Sequence, residues 1–284
     1  MPPVASKPAA KRRGTLYLRH TLGVRVMHWV NVLSLTVLLM SGLMIFNAHP
    51  ALDWGKSSYT GRASFLRIAS RDGADGRPIG VTTVLGREFE TTGVLGVSTR
   101  SDGRVAEVAF PSWITIPGHY SLAEARAWHF FFAWVFVLNG LAYVIHAVLT
   151  RHLARDLLPT RSDWRGIGQS IRDHLTLRHP TGEAAWHYNV LQKVAYLVVI
   201  FVLLPLIILA GWAMSPWLNS LWSGWVDLFG GRQSARSVHF IAAWALVGFV
   251  VIHVFEVIVS GLWNHLRSMI TGRFRVTDEP EASP

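Results

Sequence analysis

The stretch ARSVHFIAAWALVGFVVIHVFE, residues 235–256, decides the fold. At ~1.5 Å per residue, an apolar helix of this length crosses the ~30 Å hydrocarbon layer of a bilayer. It carries two imidazoles, His239 and His253, fourteen residues apart. Fourteen steps of ~100° come within roughly 40° of a whole number of turns, so both lie on one face, ~21 Å apart along the axis. An imidazole in hydrocarbon is costly without a partner. A haem iron near each membrane surface is such a partner, with this one helix giving an axial ligand to each.

The rest of the sequence agrees with a membrane protein. Of 284 residues, 51% are hydrophobic and 15% charged, and there are 13 Trp, a residue that favours the membrane–water interface. The net charge of +10 comes from basic residues that flank apolar runs, which is a topology signal and not a nucleic-acid footprint. The absence of cysteine excludes disulfides, thiolate zinc sites, iron–sulfur clusters and covalently attached c-type haem.

Four spans are predicted, from about Val24 to Phe46, Ala127 to Leu149, Val194 to Trp212 (bent by Pro205) and Val238 to Leu262. Basic residues precede the first span (Lys11, Arg12, Arg13), fill the stretch between the second and third (Arg151 to Arg178) and follow the fourth (Arg267, Arg273, Arg275). By the positive-inside rule these regions are cytoplasmic, as are both termini, and the chain is expected to be a multi-pass membrane protein. The first span reads as an uncleaved helix, because its apolar run is too long for a signal peptide and no small-residue cleavage site follows.

The expected organisation is a disordered N-terminus (1–13), first helix region (14–46), extracytoplasmic insert (47–120), second helix region (121–150), cytoplasmic loop (151–186), third helix region (187–213), extracytoplasmic interfacial loop or helix (214–233), fourth helix region (234–265) and cytoplasmic tail (266–284), disordered from 276. In the insert, residues 94–100 and 105–111 alternate around Ser101-Asp102-Gly103-Arg104 and predict a β-hairpin. Ser121 and Glu124 form a capping-box pattern before the second helix. Trp217, Trp222 and Trp225 suit a short interfacial helix ended by Gly230-Gly231.

A short motif recurs at the start of three spans: Arg25 with His28, Arg126 with His129, and Arg236 with His239, three residues apart and each His followed by an aromatic. Arg and His then share a helix face, with the Arg one turn nearer the interface, where a haem propionate ends. Depth pairs His129 with His239 on the outer side and His28 with His253 on the inner side. His146, near the inner end of the second span, is the alternative inner ligand; His28 is preferred for its Arg and its following Trp. Gly42 and Gly140 fall on the faces of His28 and His129, where a flat macrocycle needs close backbone approach. Two imidazoles per iron leave no open position, so the haems would carry electrons. Glu256, three residues past His253, and Lys193 are titratable groups available near the inner end.

The stretches RVMHW, AWHFFFAWVFVLNG, YNVLQK and GGRQSARSVHF, with the later His253, make the chain resemble the four-helix dihaem cytochrome b subunits of bacterial respiratory oxidoreductases. That group includes cytochrome b561, the nickel–iron hydrogenase cytochrome b and the formate dehydrogenase gamma subunit, and the likeness is strongest to thiosulfate reductase cytochrome b subunits. The resemblance implies non-covalent haem b, a quinone site, and a periplasmic partner that looks like a molybdopterin oxidoreductase. It also implies a quinone pocket near the inner haem, to which Asn189 and Gln192 of the Tyr188–Lys193 stretch are carried over. The long insert departs from the shorter members.

The fold class expected is therefore an all-α integral membrane protein: a four-helix bundle binding two b haems, with a partly β extracytoplasmic insert between helices 1 and 2. The expected function is electron transfer between the quinone pool and a periplasmic oxidoreductase, in a lipid setting and without nucleic acid. The alternative is a stand-alone b561-type oxidoreductase acting on an outer-surface substrate such as superoxide or ferric iron. A histidine-based transporter is a third reading, disfavoured because broken helices and repeats are lacking.

Overall fold

The computed structural model describes residues 15–58, 61, 63–100, 102–151, 153–176 and 189–276. The N-terminus 1–13, Ser101 of the expected turn, His152, Arg178, His179, His187, Tyr188, the end of the 151–186 loop and the tail from 277 lie outside the described residues. The chain forms two compact units. The described parts of Met1–Val26, His146–Leu197 and Val250–Pro284 make one, and Met27–Ile145 with Val198–Phe249 make the other.

In chain order the elements are β1 (Thr15–Leu18), α1 (Leu22–Asn47), β2 (Ala51–Leu52), β3 (Leu66–Asp72), β4 (Pro78–Val84), β5 (Arg87–Glu90), β6 (Ser98–Thr99), β7 (Val105–Ala106) and α2 (Leu122–Leu149). They continue with α3 (Arg161–Arg165), α4 (Ile167–Leu175), α5 (Val190–Val198), α6 (Leu204–Ala213), α7 (Pro216–Leu221), α8 (Arg232–Val259), α9 (Leu262–Thr271) and β8 (Arg273–Val276). Among the described residues, four helices are long and apolar enough to cross a membrane: α1, α2, the continuous Val190–Ala213 run, and α8. Their flanks expose Phe131, Trp134, Leu138, Val251 and Ile252, as a lipid-facing surface requires.

Pro205 acts where the sequence placed a bend. It has no N–H for the carbonyl one turn back, and its ring crowds that carbonyl. The helix responds by widening into a π turn at Val199–Leu203, closed by the Leu204 N–H on the Val199 carbonyl.

In the Met27–Ile145/Val198–Phe249 unit, the insert holds a four-stranded antiparallel sheet of order β2-β3-β4-β5, with Leu66 opposite Val84 and Asp72 opposite Pro78. The expected hairpin is there in shortened form: β6 and β7 pair over two residues each, Ser98 with Ala106 and Thr99 with Val105. Leu52, Ile68, Ala109 and Phe110 from the insert bury against Leu43 and Phe46 of α1, with Phe240 of α8 packed alongside. Asn47 locks the join: its Nδ2 donates to the Phe110 carbonyl at 3.0 Å, and its Oδ1 accepts from the Phe110 N–H at 2.7 Å. The Gly55 carbonyl accepts from the N–H groups of Gln233 and Ser234, two of the donors a helix start leaves unpaired. Gly231 permits that approach. Its φ is +121°, and a Cβ there would stand 2.6 Å from the Gly55 oxygen. The tryptophan-rich stretch is not one helix. It is α7, capped by Ser215, followed by 3₁₀ turns at Ser223–Trp225 and Asp227–Phe229.

In the other unit, two expectations are corrected. Thr15–Leu18, placed in the first helix region, is a strand, and Arg273–Val276, placed in the tail, is its antiparallel partner, with Leu18 opposite Arg273. The short alternating segments TLYL and RFRV satisfy each other's backbone groups, which neither does alone. The fourth helix region also breaks: α8 ends at Val259, Gly261 turns with φ +114°, and α9 begins at Leu262. Between the second and third spans, Thr160 caps α3 in a full capping box with Asp163.

Candidate functional site

The site grows from two half-buried imidazoles on different helices, His129 on α2 and His239 on α8. Their ring centroids are 6.2 Å apart, with the planes at 63°. Proton accounting fixes both tautomers. His239 Nδ1 is 2.8 Å from the Ile207 carbonyl, which only accepts, so Nδ1 carries the proton. His129 Nδ1 is 3.0 Å from Ser41 Oγ. The single Ser41 hydroxyl proton goes to the Val37 carbonyl at 2.7 Å, so Ser41 accepts from His129 Nδ1–H. Both rings thus keep the lone pair on Nε2, the nitrogen available to a metal.

Small residues allow this arrangement. A Cβ on Gly42 would lie 3.4 Å from His129 Cε1, at ordinary contact. A Cβ on Gly211 would lie 3.2 Å from His239 Cε1 and 3.3 Å from its Nδ1, tighter than packed side chains normally come. A Cβ on Gly140 would meet nothing within 4 Å. Trp225 Nε1–H donates to the Leu209 carbonyl at 3.0 Å and ties the tryptophan-rich loop to the helix that supplies the Ile207 carbonyl.

Two imidazoles joined through Nε2 to one metal, with bonds of roughly 2 Å, have centroids roughly 6 Å apart. His129 and His239 meet that separation. A bare metal ion wants three or four protein ligands. Among the described residues no group of three or more His, Cys, Asp or Glu is gathered to hold one. A two-imidazole set suits an iron whose remaining positions a porphyrin fills.

The three arginines of the recurring motif differ in their surroundings. Arg236 donates to the His49 carbonyl and lies over the Phe46 ring at 5.5 Å, beside the Phe46–Phe240 pair. Burial and the Arg236 charge push the His49 imidazole below its ordinary range, so it is neutral at pH 7. Arg126 is exposed and lies over Phe130, 5.6 Å from the ring centre. Arg25 donates to the Ile270 carbonyl at the end of α9. A cleft of about 490 Å³ in the insert is lined by His49, Asp53, Arg67 and Glu107 among others.

His28 belongs to the same unit as His129, with its ring edge-on to Trp29 at 5.4 Å. Asn139, beside Gly140, donates to the Met27 carbonyl at 2.8 Å and to Asn31 Oδ1 at 2.7 Å, binding α2 to the turn of α1 that carries His28. His253 and His146 are half-buried and belong to the other unit.

That other unit holds a polar cluster. Asn189 and Gln192 cap α5 reciprocally: Gln192 N–H donates to Asn189 Oδ1 at 2.9 Å, and Asn189 N–H to Gln192 Oε1 at 3.3 Å. Asn189 Nδ2 reaches His174 Nδ1 at 3.5 Å, and His174 Nε2 stands 3.8 Å from Glu256. Lys193, buried, pairs with Asp163 at 2.8 Å. The Lys193 hydrogen bond, with the Thr160 backbone N–H, holds the Asp163 carboxyl down to about 2. Sequence reasoning missed Ser41, Ile207, Gly211, Asn139, His174 and Asp163. Only the Asn-x-x-Gln spacing of the α5 cap was there to be read.

Four apolar spans with tautomer-fixed imidazoles between them describe the class of helical membrane cytochromes. The sequence model of the prokaryotic cytochrome b561 family matches residues 19–272, and the chain belongs to that family. It is a multi-pass membrane b-type cytochrome that binds haem and transfers electrons. A protein of Azospira oryzae named as the protein-methionine-sulfoxide reductase subunit YedZ1 is 27% identical over 84% of this chain and 89% of its own length. Proteins named as B-type cytochrome subunits of Ni/Fe-hydrogenase are also similar. That of Cupriavidus necator is 21% identical over 88% of this chain and 83% of its own, and that of Azotobacter vinelandii 26% over 59% and 77%. No solved structure matches.

Proposed function

We propose that this chain is a dihaem cytochrome that carries electrons across the bacterial inner membrane, between the quinone pool and an extracytoplasmic oxidoreductase of the molybdopterin type. The observation that carries it is the His129–His239 couple, with both Nδ1 protons committed and both Nε2 lone pairs left for iron. His129 and His239 hold the outer haem. His28 and His253 hold the inner one, with His146 as the alternative, on the strength of their spacing along the spans. When bound, each haem supplies a one-electron couple closed to oxygen.

The chain's own residues do the remaining work. Ser41 and the Ile207 carbonyl orient the ligands, Gly42 and Gly211 leave them room, and Arg126 and Arg236 balance propionate charge. Arg25 does the same for the inner haem, and Gly140 leaves space for its macrocycle. Asn189 and Gln192 mark the quinone end, where His174 and Glu256 form a pair suited to moving the protons that quinone chemistry requires. The partner docks on the insert and the tryptophan-rich loop. The relatives named for a methionine-sulfoxide reductase and for hydrogenases support an oxidoreductase partner.

The test is reduction of the purified protein by a quinol analogue. Reduction of b-type absorbance, with a soluble molybdenum protein co-purifying, is expected; a protein that dithionite reduces and quinol does not would contradict the quinone role. The insert cleft beside Arg236 favours one second reading, a stand-alone enzyme with a small outer substrate. Turnover of superoxide or ferric iron by the isolated chain would select it.

A further inference from the structure

Residues 49–55, which follow α1 and contain β2, are bonded to the first turns of α8 at three carbonyls. The His49 carbonyl accepts from Arg236 Nη2, the Asp53 carbonyl from Ser237 Oγ at 2.7 Å, and the Gly55 carbonyl from the Gln233 and Ser234 N–H groups at 3.0 and 3.3 Å. The Gly55 N–H donates in return to Ser234 Oγ at 2.8 Å. Ser234 and Ser237 are buried. A helical serine often turns its hydroxyl back on a carbonyl one turn earlier, but Ser237 spends its proton on the insert. His239 follows two residues later on the same helix. All of these residues lie in the Met27–Ile145/Val198–Phe249 unit.

The same segment also walls the insert cleft, whose lining includes His49, Pro50, Ala51 and Asp53. It is not free to shift alone. β2 pairs with β3, Ala51 opposite Arg67 and Leu52 opposite Leu66, and the Ile68 N–H donates to the Pro50 carbonyl at 2.9 Å. Leu52 is buried in one cluster with Phe46, Ile68 and Phe110, and Phe240, the neighbour of His239, packs against that cluster. Ser64, another residue of the cleft lining, donates through Oγ to Asp53 Oδ1 at 2.8 Å. Asp53 is therefore bonded in both directions: Ser64 holds its carboxylate, and its carbonyl holds Ser237. A close-packed, hydrogen-bonded segment transmits displacement because it has little slack to absorb it.

We infer that residues 49–55 are a positioning strap that fixes the His239 end of α8 and ties the haem ligand there to the insert cleft. Ser234 and Ser237 are its positioning residues on the helix, and Asp53 is its link to the cleft wall. Load placed on that wall when the oxidoreductase partner docks reaches the first turns of α8 through the Ser64–Asp53–Ser237 hydrogen bonds. The haem part rests on the reading of His239 as an axial ligand; the strap itself does not.

The experiment compares full-length wild type, Ser237→Ala, Ser64→Ala, the Ser64→Ala/Ser237→Ala double variant and, as an insert control, Arg71→Gln, which breaks only the exposed pair with Glu88. It reads amide exchange over residues 232–239 and the low-spin ferric resonance signals, one of which is assigned to His239 by its loss in His239→Ala. Ser237→Ala should speed that exchange about fivefold, as expected for one lost hydrogen bond, and shift the His239 signal while any other signal stays. Ser64→Ala should move the same signal, and the double variant no further than Ser237→Ala alone, because both act through Asp53. Arg71→Gln should change neither reading. Unchanged exchange in Ser237→Ala overturns the strap. Faster exchange with an unmoved His239 signal, or an equal shift in Arg71→Gln, overturns the positioning of the ligand. A silent Ser64→Ala or additive shifts overturn the route through Asp53. If Ser237→Ala does not fold, Ser234→Ala, which loses the Gly55 N–H contact, is read against the same outcomes. If His239→Ala keeps every haem signal, the ligand reading fails, and exchange over residues 232–239 decides the strap alone.

Discussion

Ser41 Oγ sits 3.0 Å from His129 Nδ1 and, with its own proton spent on the Val37 carbonyl, acts there as an acceptor. A hydroxyl on α1 thereby sets which nitrogen of an α2 imidazole is basic. Supporting contacts of this kind fix ligand orientation, and their loss typically costs about 10–100-fold in metal affinity. Ser41→Ala is expected to weaken retention of one haem by that order while Ser41→Thr, which keeps the oxygen, restores it. Haem content after dilution into apomyoglobin reads this directly; equal haem loss from Ala, Thr and wild type would show that Ser41 does not orient the ligand.

The glycines grade the same argument. Gly211→Ala places a methyl 3.2 Å from His239 Cε1 and must displace the ring by a few tenths of an ångström, whereas Gly42→Ala meets His129 at 3.4 Å, and Gly140→Ala meets nothing. The low-spin ferric resonance spectrum, sensitive to axial imidazole geometry, should shift most for Gly211→Ala, less for Gly42→Ala and least for Gly140→Ala. A reversed order would remove the close-approach account of the site.

The Asp163–Lys193 contact makes a pH prediction. Asp163 titrates at about 2 in the fold, below the ordinary carboxylate value of roughly 3.9, so the folded chain binds fewer protons than the unfolded one in that window. Its stabilisation is complete above about pH 5 and drains away as pH falls through about 2. Amide exchange across residues 160–175 should be faster in Asp163→Asn than in wild type at pH 7, with the difference closing in acid. Equal protection at pH 7 would mean that Lys193 finds its stabilisation elsewhere.

Much of this was legible in the sequence because hydrocarbon is an unforgiving solvent. Long apolar runs can only be spans, and imidazoles at matched depth in them stand out, which is how His129 and His239 were paired from spacing. The insert was less legible. β3 and β4 are LRIASRD and PIGVTTV, partly exposed and with weak alternation, and their pairing depends on contacts no local pattern announces. The residues 94–111 alternate better yet contribute only two-residue strands. Ser41, Gly211 and the Ile207 carbonyl were invisible for another reason: serines, glycines and backbone carbonyls are common in helices, and only the neighbouring imidazole gives them a task. Arg25 illustrates the converse. It stands three residues before His28 in the sequence, but its bond to Ile270 depends on α9 and the β1–β8 pair, which form only when distant segments of the chain meet.

The central claim is tested most directly by counting haem in single histidine variants of the purified chain. Reduced-minus-oxidised spectra with haem quantification should give two b haems per chain in wild type. His129→Ala and His239→Ala should each lose the same haem, and His28→Ala and His253→Ala the other. If His129→Ala and His239→Ala remove different haems, or if either keeps the full complement, the two imidazoles found 6.2 Å apart do not share an iron and the account fails.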